Sequence, residues 1–435
     1  MKVDRWEKQL EKRAAVIRNG YEDDTEQIRP EHSQLPITEA EEQDLLPQGK
    51  DPGIGGGVAP MKKSNRLVQS LSQVALLAGA LLLALLVGAI LIALAGANPL
   101  VAYKSMFLGP FSGKFGMTES LVKATPLLLV GLGVVTSFRS GILNIGGEGQ
   151  MVMGAIAGAA VALALPKWPA VILLPLALIA SVLAGAVWGG FAGWLKARLG
   201  VNEILSTVML NAIALQLCLY LIRGPMIDPE EVAYGTGTPQ TAQLPRQIWM
   251  ARLIKGTRFH WGFFLAIALA FVVFIFLWRT TIGYRMRAAG EGPAAARAAG
   301  INVERYQVLA MALAGGFAGL AGMVEVLGVH RRVLEGLSAG YGFSGIVVAL
   351  FGRLHPIGAI PAAILFGMLT LGADMMQRAV AIPAAIVMAI QGLVVLFVVG
   401  SDIFLRHPEI WRRWFGKKDP DTLGRLEADR AGDGN

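Results

Sequence analysis

From about residue 68 onward the chain alternates long apolar runs with short polar breaks. Ten apolar segments can be marked, at about 68–96, 118–138, 146–165, 170–195, 203–222, 261–279, 306–328, 343–352, 356–376 and 381–400. Most reach the roughly 17–25 residues that cross a bilayer as a helix. The eighth is too short to cross as a straight helix, and "RLHP" (353–356) ends it. The pattern predicts an all-α polytopic membrane protein with about ten transmembrane helices. Polar stretches flank this domain, so the expected organisation is an N-terminal extension at 1–66, a membrane domain at 67–401 and a tail at 402–435. A short amphipathic helix near 3–18 and a Gly/Pro linker at 51–60 are expected within the extension.

Two polar interruptions break the apolar pattern in related ways. The second segment runs into "SGILNIGGEGQM" (140–151), with Gly141, Gly146, Gly147 and Gly149. The seventh runs into "GLSAGYGFSG" (336–345). In a ten-span count these two segments point in opposite directions. Gly-interrupted spans at matching places in two inverted-topology halves point to a transport site at their interface.

Composition fits this picture. Charged residues make up 16% of the chain and hydrophobic ones 54%, against about 25% charged in soluble domains. The net charge of +8 flanks apolar segments, so it reads as an orientation signal and not as a nucleic-acid surface. "MKKSNR" (61–66) favours a cytoplasmic N-terminus, and ten crossings bring the C-terminus to the same side. The loop at 223–260 is then external and the loop at 279–305 cytoplasmic. Cys218 is the single cysteine, so no intrachain disulfide can form. The chain carries no phosphate-binding G-x-x-x-x-G-K-[ST] motif and no H-E-x-x-H or paired-Cys metal pattern. Its five histidines are dispersed.

Three groups of residues carry candidate chemistry. Around the first break, Asn144, Glu148 and Gln150 offer a carboxylate and two amides beside an apolar span. A carboxylate there is costly unless paired or wetted. Glu148 either borders a solute path or lies in the first turn of the third span, facing the helix dipole. In "VNEILSTVMLNAIA" (201–214), Glu203, Thr207 and Asn211 follow at i, i+4 steps on one helix face. Asn211 suits either the path or interhelical hydrogen bonding, and Glu203 suits a helix cap or a contact at the cytoplasmic surface. In the basic loop, "GEGPAAARAAGI" (290–301) predicts a short helix opened by Pro293 and stopped at Gly300. Gly290, Glu291, Ala295, Ala296 and Arg297 complete a smooth surface suited to a groove in another protein. Glycines at 185, 189 and 193, and at 315 and 319, suit close helix packing within the bundle or between two such membrane domains.

The motifs "SGILNIGGEGQMVMGAIAG", "VNEILSTVMLN", "GYRMRAAGEGPAAARAAGI" and "GYGFSGIVVALFGRLHPIGA" together resemble the permease subunit of bacterial nucleoside ABC importers. These belong to the wider branched-chain amino acid and simple-sugar permease family. The resemblance covers roughly 68–400, and the second motif with its sizeable external loop resembles the longer of two paired permeases. It implies a multi-pass protein of the bacterial cytoplasmic membrane, surrounded by lipid. Its partners would be a cytoplasmic ABC ATPase, a second, unlike permease and an external solute-binding lipoprotein. The chain itself would need no cofactor, with ATP and Mg held by the ATPase, and would be no enzyme. The loop at 279–305 would be the coupling element, although Ala294 stands where that element has Glu. Asn144, Glu148, Gln150 and Asn211 would border the path, and Tyr341 and Phe343 could stack on a base. Alternatives are a permease for simple sugars or another polar solute, or a proton-driven transporter with Glu148 or Asp374 as carrier.

Overall fold

The computed structural model describes residue 79 and residues 82–393, apart from 236, 384, 387, 388 and 391. The expected extension, its helix and linker, and the tail lie outside the described residues, as do the beginning of the first segment and part of the tenth. Among the described residues, nine helices carry the membrane domain's framework. They are α1 (Leu82–Leu94), α2 (Pro99–Leu108), α3 (Gly113–Arg139), α4 (Gly147–Ala164), α5 (Ala170–Leu199), α6 (Glu203–Arg223), α8 (Gly262–Arg279), α11 (Val303–Glu325) and α13 (Pro356–Val380). Four further short helices are described: α7 (Pro229–Tyr234), α9 (Thr281–Glu291), α10 (Pro293–Ala298) and α12 (Tyr341–Phe351).

Among the described residues, seven helices are long and apolar enough to span a bilayer: α3, α4, α5, α6, α8, α11 with its π-turn extension to His330, and α13. Each matches an expected segment. α1 and α12 are shorter apolar helices, and α12 coincides with the eighth segment, judged too short to cross. α2 was not expected. Its signal is "ANPL", in which Asn98 Oδ1 accepts the Leu100 N–H at 2.9 Å and Pro99 occupies the first turn.

α3 and α11 form the buried axis of the bundle, enclosed along most of their length. They run antiparallel. The start of α3 meets the end of α11, where Glu119 and Val122 face Glu325 and Val329 across a cavity. The other end of α3 meets α9, which leads through α10 to the start of α11. α11 packs along α5 through the two glycine stripes, Gly185 and Gly189 lying against Gly315 and Gly319. A Cβ on Gly185 would stand 2.9 Å from the Gly319 Cα, so only hydrogen allows this approach. The Ser181 hydroxyl donates to the Gly319 carbonyl at 2.6 Å across the same seam. These stripes therefore join helices within this chain.

Each interruption lies at one end of the α3–α11 pair. The chain leaves α3 at Arg139 and turns back inward through 140–146 before starting α4. It leaves α11 at His330, turns inward through 331–340, and starts α12. α4 then runs toward the end of α11, Gly154 lying against Gly319 and Gly158 against Met323. α12 runs toward the end of α3, where the Arg139 Nε donates to the Leu354 carbonyl at 2.9 Å. The two broken units, α3–break–α4 and α11–break–α12, therefore have opposite sense, as an inverted pair requires.

Candidate functional site

The two breaks meet. The N-termini of α4 and α12 abut so closely that Gly147 and Gly342 pack backbone on backbone. Gly147 lies against Val130 of α3, and Gly345, one turn on from Gly342, lies against Val130 and Gly131. Val130 is nine residues from the Arg139 end, about 13 Å along a helix. The junction is thus well inside the bundle and not at its surface. Two helix N-termini facing each other bring together positive dipole ends and unpaired N–H groups.

Glu148 resolves that conflict. It lies in the first turn of α4, and its Oε1 accepts the Gly342 N–H of α12 at 2.8 Å. The Ser338 hydroxyl and the Phe343 N–H approach the same carboxylate. One negative group therefore serves both helix starts, 194 residues apart.

The amides hold the first break in shape. Asn144 and Gln150 form a reciprocal pair, each side-chain nitrogen donating to the other's oxygen at 3.0 Å. Asn144 Oδ1 also accepts the Gly146 N–H at 2.9 Å. Asn211 reaches in from α6: its Oδ1 accepts the Gly149 N–H at 2.8 Å and its Nδ2 donates to the Ile145 carbonyl at 2.9 Å. All three side chains are buried. Asn144 and Asn211 satisfy irregular backbone that lipid could not solvate, and Gln150 holds Asn144 in place. Thr207 turns back to the Glu203 carbonyl, while Glu203 itself pairs with Lys196 at 2.9 Å and the helix cap is Asn202. The two aromatics separate: Tyr341 is buried, whereas Phe343 is half exposed.

Both breaks are braced by long loops from opposite ends. At the α3 end, Gly290 of α9 lies directly against Gly141, and a Cβ on Gly290 would come within 2.6 Å of the Gly141 nitrogen. α10 follows as foreseen, from Pro293 to Ala298 with Gly300 in the left-handed region. Ala296 is buried against Ala289 and Val303, Ala295 is exposed, and Arg297 pairs with Glu304 of α11 at 2.9 Å. At the other end, the 223–260 loop is stitched to the second break. Thr241 N–H donates to the Val333 carbonyl and Leu244 N–H to the Arg331 carbonyl, each at 2.9 Å, and Arg332 pairs with Asp228 at 3.2 Å. Arg331 also stacks 4.0 Å over the Trp249 ring.

Beside the second break lies a polar cavity of about 150 Å³ that sequence reasoning missed. Glu119, Lys123, Arg258, Glu325, His330 and Tyr341 line it. Glu119 is fully engaged with Arg258, and Lys123 pairs with Asp374 at 2.8 Å. Glu325 Oε1 faces His330 Nε2 at 3.5 Å. These residues come from four separate stretches, so no local spacing announces them. The only available signal was charge inside otherwise apolar spans.

The family described as "Branched-chain amino acid transport system / permease component" matches residues 116–399. The chain belongs to this family. The matched stretch contains both breaks, the 279–305 loop and the cavity. Over 321 residues, 71% of this permease and 83% of the relative, it is 36% identical to the glucose ABC transporter permease protein of Haloferax volcanii. It is 34% identical over 336 residues to the guanosine ABC transporter permease protein of Bacillus subtilis, covering 77% and 95% of the two chains. With the nucleoside ABC transporter permease protein of Lactococcus lactis it shares 32% over 309 residues, 70% and 84% of the chains. The permease is a multi-pass membrane protein.

Proposed function

We propose that this permease is the membrane subunit of an ATP-driven importer for nucleosides in the bacterial cytoplasmic membrane. The observation that carries the reading is its similarity, over most of its length, to permeases named for guanosine and nucleosides. Both termini face the cytoplasm, where a separate ABC ATPase holds ATP and Mg, and this chain hydrolyses nothing itself. A second, unlike permease and an external solute-binding lipoprotein complete the assembly.

The mechanism follows the contacts. ATP binding closes the ATPase pair, and α10 docked upon it moves. That motion passes through the Gly290–Gly141 contact into the first break. The Glu148–Gly342 bond links it to the second break, and the halves rock so that access alternates. Asn144, Glu148, Gln150, Asn211 and Tyr341 shape the wall of the path from behind, and Phe343 presents an exposed ring. A proton-driven mechanism needs Glu148 or Asp374 free, whereas Glu148 accepts the Gly342 N–H and Asp374 pairs with Lys123.

A second reading, import of a simple sugar, is favoured by the 36% identity to the relative named for glucose. Deletion of the gene, with plasmid complementation, separates the two. Uptake of tritiated guanosine or another nucleoside is expected to fall on deletion while glucose uptake persists. Loss of glucose uptake with nucleoside uptake intact would replace the first reading by the second.

A further inference from the structure

The cavity beside the second break carries a carboxylate with capacity to spare. Glu325 is 4% exposed, lines the cavity, and its Oε2 has no hydrogen-bond partner among the described residues. A buried acceptor of this kind costs free energy unless a donor arrives. The nearby groups define which donor. Arg258 is committed to Glu119 and Lys123 to Asp374. Both cations are neutralised by those carboxylates, so the wall asks for a hydrogen-bond donor to Glu325 and repels an anion. A neutral molecule with hydroxyl donors meets both conditions. The space of about 150 Å³ is large enough for a furanose or pyranose ring. Tyr341 supplies an aromatic wall at the same place, suited to the C–H face of such a ring.

We propose that this cavity binds the vicinal hydroxyls of a sugar ring, with Glu325 Oε2 as the accepting atom. The ring comes either from a nucleoside's ribose or from a free hexose. This deepens the import reading and rests on it for the guest's identity. It also gives the second break a sensor. Tyr341 precedes Gly342, whose N–H holds Glu148, so a ring seated against Tyr341 is one residue from the joint between the broken helices.

The test is direct binding to the permease–ATPase complex in lipid nanodiscs, without the external binding protein, whose own selectivity would mask the result. Tritiated guanosine is competed with guanosine, 2′,3′-dideoxyguanosine and guanine, and tritiated glucose with glucose and 2-deoxyglucose. A hydrogen bond to a charged group predicts at least about tenfold weaker competition by the dideoxy compound. In Glu325→Gln, which keeps a neutral acceptor and loses the charge, that discrimination should fall at least about threefold. Val329→Phe, which fills the cavity and leaves both carboxylates in place, should weaken guanosine itself by a similar factor and serves if Glu325→Gln does not fold. Equal competition by guanosine and its dideoxy form in the wild-type complex overturns the site and leaves nucleoside import standing. Glucose binding that weakens for 2-deoxyglucose, without guanosine binding, supports the site and removes the nucleoside reading. Binding of neither ligand overturns the site.

Discussion

The contact between Glu148 and Gly342 is the most exposed point of this account. Replacing Glu148 by alanine removes a charge-assisted hydrogen bond at 2.8 Å, worth about 1.5–3 kcal/mol. It also leaves the Gly342 N–H buried without that acceptor and two helix starts without their shared negative group, the latter worth up to about 2 kcal/mol. Against these stands the cost of burying a carboxylate, which the truncation relieves. The balance is a loss on the order of 3 kcal/mol for Glu148→Ala. Glu148→Gln keeps one acceptor oxygen and the shape but loses the charge and the second acceptor oxygen, so a smaller loss of about 1 kcal/mol is expected. At about 2 °C per kcal/mol for a large domain, Glu148→Ala should unfold roughly 6 °C below wild type and Glu148→Gln roughly 2 °C below. Cys218, the single cysteine and buried in α6, provides the assay, because a thiol-reactive dye reports its exposure during heating in detergent. Unfolding is irreversible in such conditions, so all three proteins are compared at one heating rate. Glu148→Ala melting within a degree of wild type would refute the claim that this carboxylate joins the broken helices.

Three further outcomes follow from the same contacts. Gly290→Ala puts a methyl group into the Gly141 backbone and should lower uptake per ATP hydrolysed at least several-fold, whereas at Gly292, where the nearest atom is 3.7 Å away, the same change should leave the ratio intact; reconstituted vesicles measure both. Arg297→Glu should depress uptake while shifting the melting temperature little, since an exposed ion pair is worth about 0–1 kcal/mol; full rescue by adding Glu304→Arg would show that internal pairing, and not docking, is its role. Burial holds the His260 imidazole below its ordinary value of 6.5, although Glu325 pulls the other way. The unfolded chain then binds the extra proton, so stability is present above pH 6.5 and falls as the pH drops through it. His260→Asn keeps an acceptor for the Gly262 N–H and should flatten the dependence of melting temperature on pH between about 7.5 and 5.5.

Much of this fold was legible because lipid imposes a length on every crossing. The seven long helices fall on expected segments, and α10 begins and ends where Pro293 and Gly300 place it. Both breaks were visible as glycine and polar residues in apolar surroundings. Their meeting was not, since nothing local in "EGQM" or "YGFS" tells Glu148 that its partner is Gly342. The buried amides show the same limit. Asn144, Gln150 and Asn211 were legible as unusual residues, but only the folded chain shows Asn144 and Asn211 satisfying backbone groups at Gly146, Gly149 and Ile145, with Gln150 holding Asn144. α9 went unseen inside a stretch read as loop because its eleven residues carry basic side chains among the apolar ones. The cavity residues were hidden by sequence distance, Glu119 and Glu325 lying in helices at opposite ends of the domain.

Energy source is the property that most directly separates this account from its rivals. The decisive measurement is nucleoside uptake into vesicles holding the permease, its ATPase, the second permease and the binding lipoprotein. With ATP supplied on the ATPase side, uptake should continue after a protonophore collapses the proton gradient, and should stop when the partner ATPase is made unable to hydrolyse. Uptake that persists with the dead ATPase and disappears with the gradient would contradict an ATP-driven permease.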